Sequence, residues 1–165
     1  MKSVNDFFNN FKDDINRINV CKLGKVVKFY PEVNKADVIP LPSEENAIVL
    51  NVPVAHVRSR DFFIYVPLKE GDKVILVFMD GDTDSILFDE DKKTTERTHD
   101  ISDCVCIGGI TLFNENLKVA DKESLCIQNK EGTGAVILKE NGDILIKAKH
   151  FKVNAERIDF NECLF

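Results

Sequence analysis

The chain of 165 residues is 44% hydrophobic and 30% charged, the composition of a globular protein with one core and room for an appendage. Its formal net charge of −6 and the lack of a basic run argue against nucleic acid as a partner. No stretch approaches the roughly 20 apolar residues that cross a bilayer, and the N-terminus lacks a signal-peptide pattern, so we expect the chain to start in the cytoplasm of the producing cell.

The first predicted element is a short amphipathic helix within residues 1–21. Apolar side chains recur there at helical spacing, and Ser3 or Asn5 can cap the start. The apolar face either packs on the domain that follows or docks on a partner protein. The residues of this face are Val4, Phe7, Phe8, Phe11, Ile15 and Ile18.

Residues 22–112 are dense with strand patterns and contain almost no helix pattern. Short β-rich runs alternate with turn residues, and Pro53 indicates an edge or bulged strand. Such spacing predicts a small antiparallel barrel of the OB-like kind, so the predicted fold class is mainly β. The predicted strands are Lys25–Tyr30, Ala36–Leu41, Asn46–His56, Phe62–Val66, Lys73–Met79, Ser85–Phe88 and Cys104–Ile107.

The C-terminal part contains a repeat. Residues 113–134 are predicted to be a linker with a first tail strand, and residues 135–165 a repetitive β tail that begins with strand Ala135–Lys139 and the turn Asn141-Gly142. From Asp143 the chain reads DILIKAK, HFKVNAE and RIDFNEC, with apolar residues at alternate positions in each unit. The predicted inward-facing residues are Ile144, Ile146, Ala148, Phe151, Val153, Ala155, Ile158 and Phe160.

This tail is expected to self-associate. One copy would leave its strand edges unpaired and one apolar face in water. Ordering each residue costs about 1–2 kcal/mol of backbone entropy, which the few apolar side chains of a single tail do not offset. Identical chains that wrap around each other pair the edges and bring the apolar faces together.

Two segments in the predicted barrel carry a family resemblance. Residues 71–78 read GDKVILVF and are similar to the "GD-x-V-x-V-x-F" strand of the central spike proteins of contractile phage tails, which include the membrane-piercing spikes and the baseplate assembly protein V group. Residues 97–103 read RTHDISD and resemble the "R-x-H-D-L-S-D" segment of that family. The residues that carry the likeness are Gly71, Asp72, Arg97, His99, Asp100, Ser102, Asp103 and Gly108.

The resemblance implies a homotrimer with a mechanical role. OB-fold barrels would form a collar docked on the tail hub or baseplate proteins, and the tails would form an intertwined three-sided β-helix that helps to penetrate the target-cell envelope. The protein would belong to a virion tail or phage-like particle assembled in a bacterial cytoplasm. Because the tail is short and lacks the His-x-His pair that holds iron in some spikes, a separate tip protein is a possible further partner.

Metal and cofactor sites are not expected. The segment Asp80–Asp84 resembles the start of a calcium loop, but Ser85 and Asp91 stand where an EF-hand requires Gly and Glu, so a solvated turn is favoured. The cysteines are scattered without C-x2-C spacing, which favours buried, reduced thiols over zinc. They are Cys21, Cys104, Cys106, Cys126 and Cys163.

The sequence also allows two other functions. A hydrolase could use His99 and Asp103 with Cys104 as nucleophile, but no further catalytic motif supports it, and an enzyme is not expected. A monomeric OB-fold module could bind a peptide, a carbohydrate or a single strand through exposed aromatic rings. Phe62, Phe63 and Tyr65 are expected not to be exposed, because they lie among apolar neighbours.

Overall fold

The computed structural model describes residues 18–92 and 95–159, together with positions 4, 9, 11 and 12. The chain divides into two compact units, Met1–Thr111 and Leu112–Phe165. The helix predicted for the N-terminal segment falls almost entirely outside the described residues. Within them, no helix is long and apolar enough to cross a membrane.

Five strands of the first unit close into a barrel. In the barrel the strand order is β1-β2-β3-β5-β4, with β4 returning to β1. β3 and β5 run parallel, and the other neighbouring pairs are antiparallel. The small β-barrel predicted from the sequence is thereby confirmed, but it is not antiparallel throughout as predicted, because β3 and β5 pair in parallel. The strands are β1 Cys21–Tyr30, β2 Lys35–Pro40, β3 Val49–Ala55, β4 Lys73–Phe78 and β5 Cys104–Gly108.

Alternation along the strands builds the barrel core. In β4, Val74, Leu76 and Phe78 are buried, while the residues between them are only partly covered. Gly24 in β1 faces this core, since a Cβ there would lie 2.5 Å from Val38 Cγ1. Each buried Val or Leu contributes about 1.5–3 kcal/mol. The core consists of Val26, Ala36, Val38, Val49, Val52, Val54, Leu68, Val74, Leu76, Phe78, Cys104 and Cys106.

Two predicted strands of the barrel region are wrong. Phe62–Val66 is not a strand and has only an isolated bridge between Arg58 and Phe63. Ser85–Phe88 is not a strand either, because residues Ile86–Phe88 form a single 3-10 turn that ends at Asp89 with a left-handed φ of 64°. The five other strands already close the barrel, so no edge is left in it for these apolar runs to pair with.

The second unit is a three-stranded antiparallel sheet. Its strands are β6 Leu125–Gln128, β7 Ala135–Leu138 and β8 Ile144–Lys147, in the order β6-β7-β8. The predicted strand and turn after residue 135 are confirmed, with Gly142 N donating to Lys139 O at 3.0 Å. Residues 148–159 are described and contain no strand, so the single chain does not form the β-helix expected for the tail.

One side of this sheet is covered by its own chain. Ala135 and Ile137 of β7 are 6% and 3% exposed. The preceding loop is held to the sheet through Gln128, which accepts from Ala120 N at 2.7 Å and donates to Lys118 O at 2.8 Å. The second unit therefore has a small core on one face of the sheet only.

Candidate assembly surfaces

The Gly71-Asp72 motif builds the turn that starts β4. Gly71 has a φ of 91°, a conformation that strongly favours glycine, and its N–H donates to Val26 O at 2.8 Å. The Asp72 carboxylate accepts from Lys69 N at 2.8 Å, and Asp72 O accepts from Val26 N at 2.9 Å. These contacts fix where β4 meets β1, so the role of the motif is structural.

Gly108 closes the same end of the barrel. It is the last residue of β5 and pairs with Val74 of β4. A Cβ at Gly108 would lie 3.1 Å from Leu68 Cδ2, tighter than ordinary contact. Glycine here lets Leu68, which is 9% exposed, pack over the end of the core. This family-like residue also acts through packing.

Arg97 is the centre of an ionic cluster. Its Nε and Nη2 atoms donate to both oxygens of Asp103 at 3.0 and 3.1 Å, and Nη2 also donates to Asp82 and Asp84 at 2.9 Å each. The side chains of Asp82 and Asp103 are each 1% exposed. The hydrogen bonds to Asp103 and Asp84 raise the pKa of Arg97 further above its usual range. The cluster joins the segment after β4 to the segment before β5.

The carboxylates of the same cluster could also be considered as ligands of a metal ion. Ligand atoms of Asp82, Asp84 and Asp103 lie within 4.8 Å of one another, an arrangement that can hold a cation. The guanidinium of Arg97 contacts all three carboxylates and supplies the positive charge between them. The solvated turn predicted here is wrong for Asp82, which is 4% exposed. We therefore interpret the cluster as structural.

His99 and Asp100 form local hydrogen bonds. His99 Nδ1 donates to Asn19 O, and Asn19 Nδ2 donates to His99 O, both at 3.1 Å. The Asp100 carboxylate accepts from both the hydroxyl and the N–H of Ser102, and these bonds lower the pKa of Asp100. Asp103 N donates to Asp100 O at 3.1 Å. The motif is a turn that also secures the chain just before β1.

The two cysteines of β5 point into the core. Burial raises the pKa of Cys104 to about 12 and that of Cys106 to about 11, so both thiols stay protonated at neutral pH. A protonated, buried thiol does not suit the nucleophile of the hydrolase alternative. The expectation of buried thiols is wrong for Cys21, which is exposed, while Cys163 lies outside the described residues.

The second unit exposes an apolar surface on its sheet, which we call the tail face. In the register of the sheet, one row aligns residues 125, 138 and 144, and the next row aligns residues 127, 136 and 146. Their exposed fractions range from 44% to 68%. The six residues of the tail face are Leu125, Ile127, Val136, Leu138, Ile144 and Ile146.

Sequence reasoning had singled out only two of these six. Ile144 and Ile146 belong to the predicted inward set, whereas the four residues on β6 and β7 were missed. Alternation at 125 and 127 and at 136 and 138 was the signal that could have found them. Of the other predicted core residues, Ala148, Phe151, Val153, Ala155 and Ile158 are exposed and follow the sheet, and Phe160 lies outside the described residues. Their role in a trimer stays a prediction.

A second apolar surface lies in the loop between β3 and β4. We call residues 57–66 the finger. Two hydrogen bonds hold it, from Ser59 N to Phe62 O at 2.8 Å and from Ile64 N to Val57 O at 2.9 Å. Phe62 is 78% exposed and Phe63 66%, so the expectation that these rings are covered is wrong. The apolar residues of the finger are Val57, Phe62, Phe63, Ile64, Tyr65 and Val66.

Known proteins place the barrel in a family. No curated protein matches the chain. The family model of the phage protein Gp138 N-terminal domain matches residues 23–109, more than half of the chain. This range includes both motifs and the five barrel strands, except for the first two residues of β1. The expectation of a phage protein is thereby confirmed, without a central-spike group being specified. The chain belongs to the phage protein Gp138 N-terminal domain family.

Proposed function

We propose that the protein is a structural subunit of a phage or phage-like tail baseplate and works as a homotrimeric central spike. Membership of a phage protein family supports a role in a phage particle. The observation that carries the trimer is the tail face, a continuous apolar surface on three adjacent strands that the second unit leaves in water. Exposed apolar patches of this kind are typical of association sites.

The tail face is large enough to drive association. Fully burying a Leu, Ile or Val yields about 1.5–3 kcal/mol. Because the six side chains are about half exposed, covering them would contribute ~1 kcal/mol each, or about 6 kcal/mol per chain. Three copies that bring these faces together on a common axis exclude water from all of them. The residues after β8, with Phe151, Val153 and Ile158 exposed, extend the same apolar pattern.

In the proposed assembly, the two units have different tasks. The tails intertwine into a short three-sided β-helix, which supplies partners for the free edges of β6 and β8. The barrels, whose strand order suits an OB-like fold, form a collar that docks on tail hub or baseplate proteins. The particle uses this spike, alone or capped by a separate tip protein, to penetrate the target-cell envelope. The role is mechanical, with no catalysis and no nucleic acid bound.

One observation favours a second candidate function. Phe62, Phe63 and Tyr65 are 78%, 66% and 43% exposed, and exposed aromatic rings on an OB-like barrel suit a monomeric module that binds a peptide, a carbohydrate or a single strand. In that case the chain would not need copies of itself. The subunit count in solution separates the two functions.

Light scattering of the full-length protein tests the proposal. A trimer has a mass of about 56 kDa, three times the 18.7 kDa of one chain. Small-angle scattering should then give an elongated particle. A mass of one chain at micromolar concentration would overturn the spike and favour the monomeric module.

A further inference from the structure

We propose that the finger of each barrel docks into an apolar cleft on the barrel of a neighbouring copy, as a second contact in addition to the tail. This inference rests on the proposed homotrimer and names the surfaces by which its barrels meet. The occupant of the finger is thus another copy of this chain.

The finger exposes enough apolar surface for a specific contact. Aromatic side chains offer ~150–250 Å² each. Tyr65 lines a cleft of its own barrel and is not counted; at the observed exposed fractions, the other five apolar residues of the finger present about 550 Å². A stable protein interface buries roughly 800 Å² on each partner, so the finger alone supplies most of one side. A patch of this size is at the upper end of what monomeric proteins expose, and such patches are often functional.

The barrel also carries a cleft of matching chemistry. The cleft has a volume of about 530 Å³ and opens between β1 and the turn before β4. Phe62 and Phe63 do not line the cleft of their own chain and are left exposed. A cleft of this volume is large enough to take aromatic rings. Its apolar lining residues are Val27, Phe29, Pro31, Tyr65, Pro67 and Leu68.

Both surfaces carry charges of both signs, so individual opposite charges can pair across the contact. Arg58 and Arg60 flank the aromatic residues of the finger, and Glu70 lies at the cleft. Conversely, the finger carries Asp61, and the cleft has lysines at positions 28 and 69. Opposite charges around an apolar contact fix its register and disfavour wrong partners. Because each chain supplies both halves, the contact can repeat head to tail and close into a ring.

The tail makes this contact stronger. Once three tails are joined, the barrels are held near one another at a high effective concentration, so a weak barrel contact becomes well occupied. The finger contact then orients the barrels within the collar. This arrangement explains why an apolar finger can be exposed on each single barrel.

Disulfide trapping between two differently tagged, co-expressed full-length chains tests the contact. One chain carries Phe62→Cys in the finger and the other Lys69→Cys at the cleft, with Cys21→Ser and Cys163→Ser in both. The matched control replaces the finger variant by Phe88→Cys, because Phe88 is also 78% exposed but lies outside the finger. We expect mild oxidation to join the two tagged chains at least tenfold more with Phe62→Cys than with Phe88→Cys.

Three other results would overturn the inference. A protein of trimeric mass that shows no cross-link, or equal cross-links from both finger and control variants, leaves the spike standing and removes the finger contact. The finger contact would also be removed if a chain that carries both Phe62→Cys and Lys69→Cys formed the disulfide only within itself. A mass of one chain removes the proposed function and this inference together.

Discussion

Replacing Ile146 with aspartate places a carboxylate on the tail face. Ile146 lies on β8 opposite Val136 of β7 and is 49% exposed in the single chain. The isolated chain should tolerate the substitution, because its carboxylate reaches water. In the proposed trimer, the three carboxylates would be enclosed among apolar side chains without partners.

The expected loss follows from the burial of this side chain. Each chain forgoes ~1 kcal/mol of apolar burial and desolvates a charged group, which adds at least about 2 kcal/mol. Three chains together lose on the order of 9 kcal/mol. Since each 1.4 kcal/mol is a factor of ten, the trimerisation constant should fall by about 10⁶-fold. At micromolar concentration the variant should therefore be monomeric.

Light scattering gives the mass, and circular dichroism checks that the strands remain. Ile86→Asp is the matched control, because Ile86 is also exposed, at 59%, but lies in the first unit, outside the tail face. We expect this control to keep the trimeric mass. Trimers of Ile146→Asp at micromolar concentration, or equal dissociation of both variants, would show that the tail face is not the contact between chains.

Three further predictions concern the barrel. Gly24→Ala should lower the free energy of unfolding by about 1–3 kcal/mol through overpacking. In Gly81→Ala the added methyl group meets open space, so the free energy of unfolding should change by less than about 0.5 kcal/mol. Urea unfolding of both variants measures this difference. Arg97→Met should lower the thermal midpoint by more than Arg97→Lys, because only methionine leaves the clustered carboxylates without a cation; equal midpoints would contradict the ionic role of the cluster. The pKa of Asp100 is lowered on folding, so its contribution to stability is present above its ordinary pKa near 3.8 and is lost as the pH falls through the lower folded value. Ser102→Ala should reduce this contribution at neutral pH and weaken the pH dependence of unfolding below pH 4, and identical acid profiles would contradict it.

The barrel could be predicted from the sequence where local patterns decide the structure. Lys73–Phe78 alternates between buried and half-covered residues, and the preceding Gly71 marks the turn, so both were found. The run Phe62–Val66 has the same strand propensity. Whether such a run pairs depends on a vacant edge, and the closed barrel leaves none for it. The exposed finger is therefore a consequence of tertiary structure.

The residues of the candidate site could likewise be predicted only where a local sequence pattern marks them. The motif around Arg97 was located in the sequence, but its partners at positions 82 and 84 were not, because they come together only when the segments after β4 and before β5 meet. In the tail, the seven-residue spacing predicted inward-facing residues only after position 143. The register of the sheet, which the spacing does not encode, aligned Ile146 with Val136 and with Ile127. Four of the six residues of the tail face thus lie in strands that lack the repeat.

Closure of the barrel also affects how easily newly synthesised chains associate with one another. In the closed ring each of the five strands has a neighbour on both sides, so a finished first unit resists strand addition by another polypeptide. The open sheet of the second unit can, and it follows the barrel along the chain. Association through strand edges is thereby left to a segment that is made after the barrel, when the first unit of the same chain has already had time to fold.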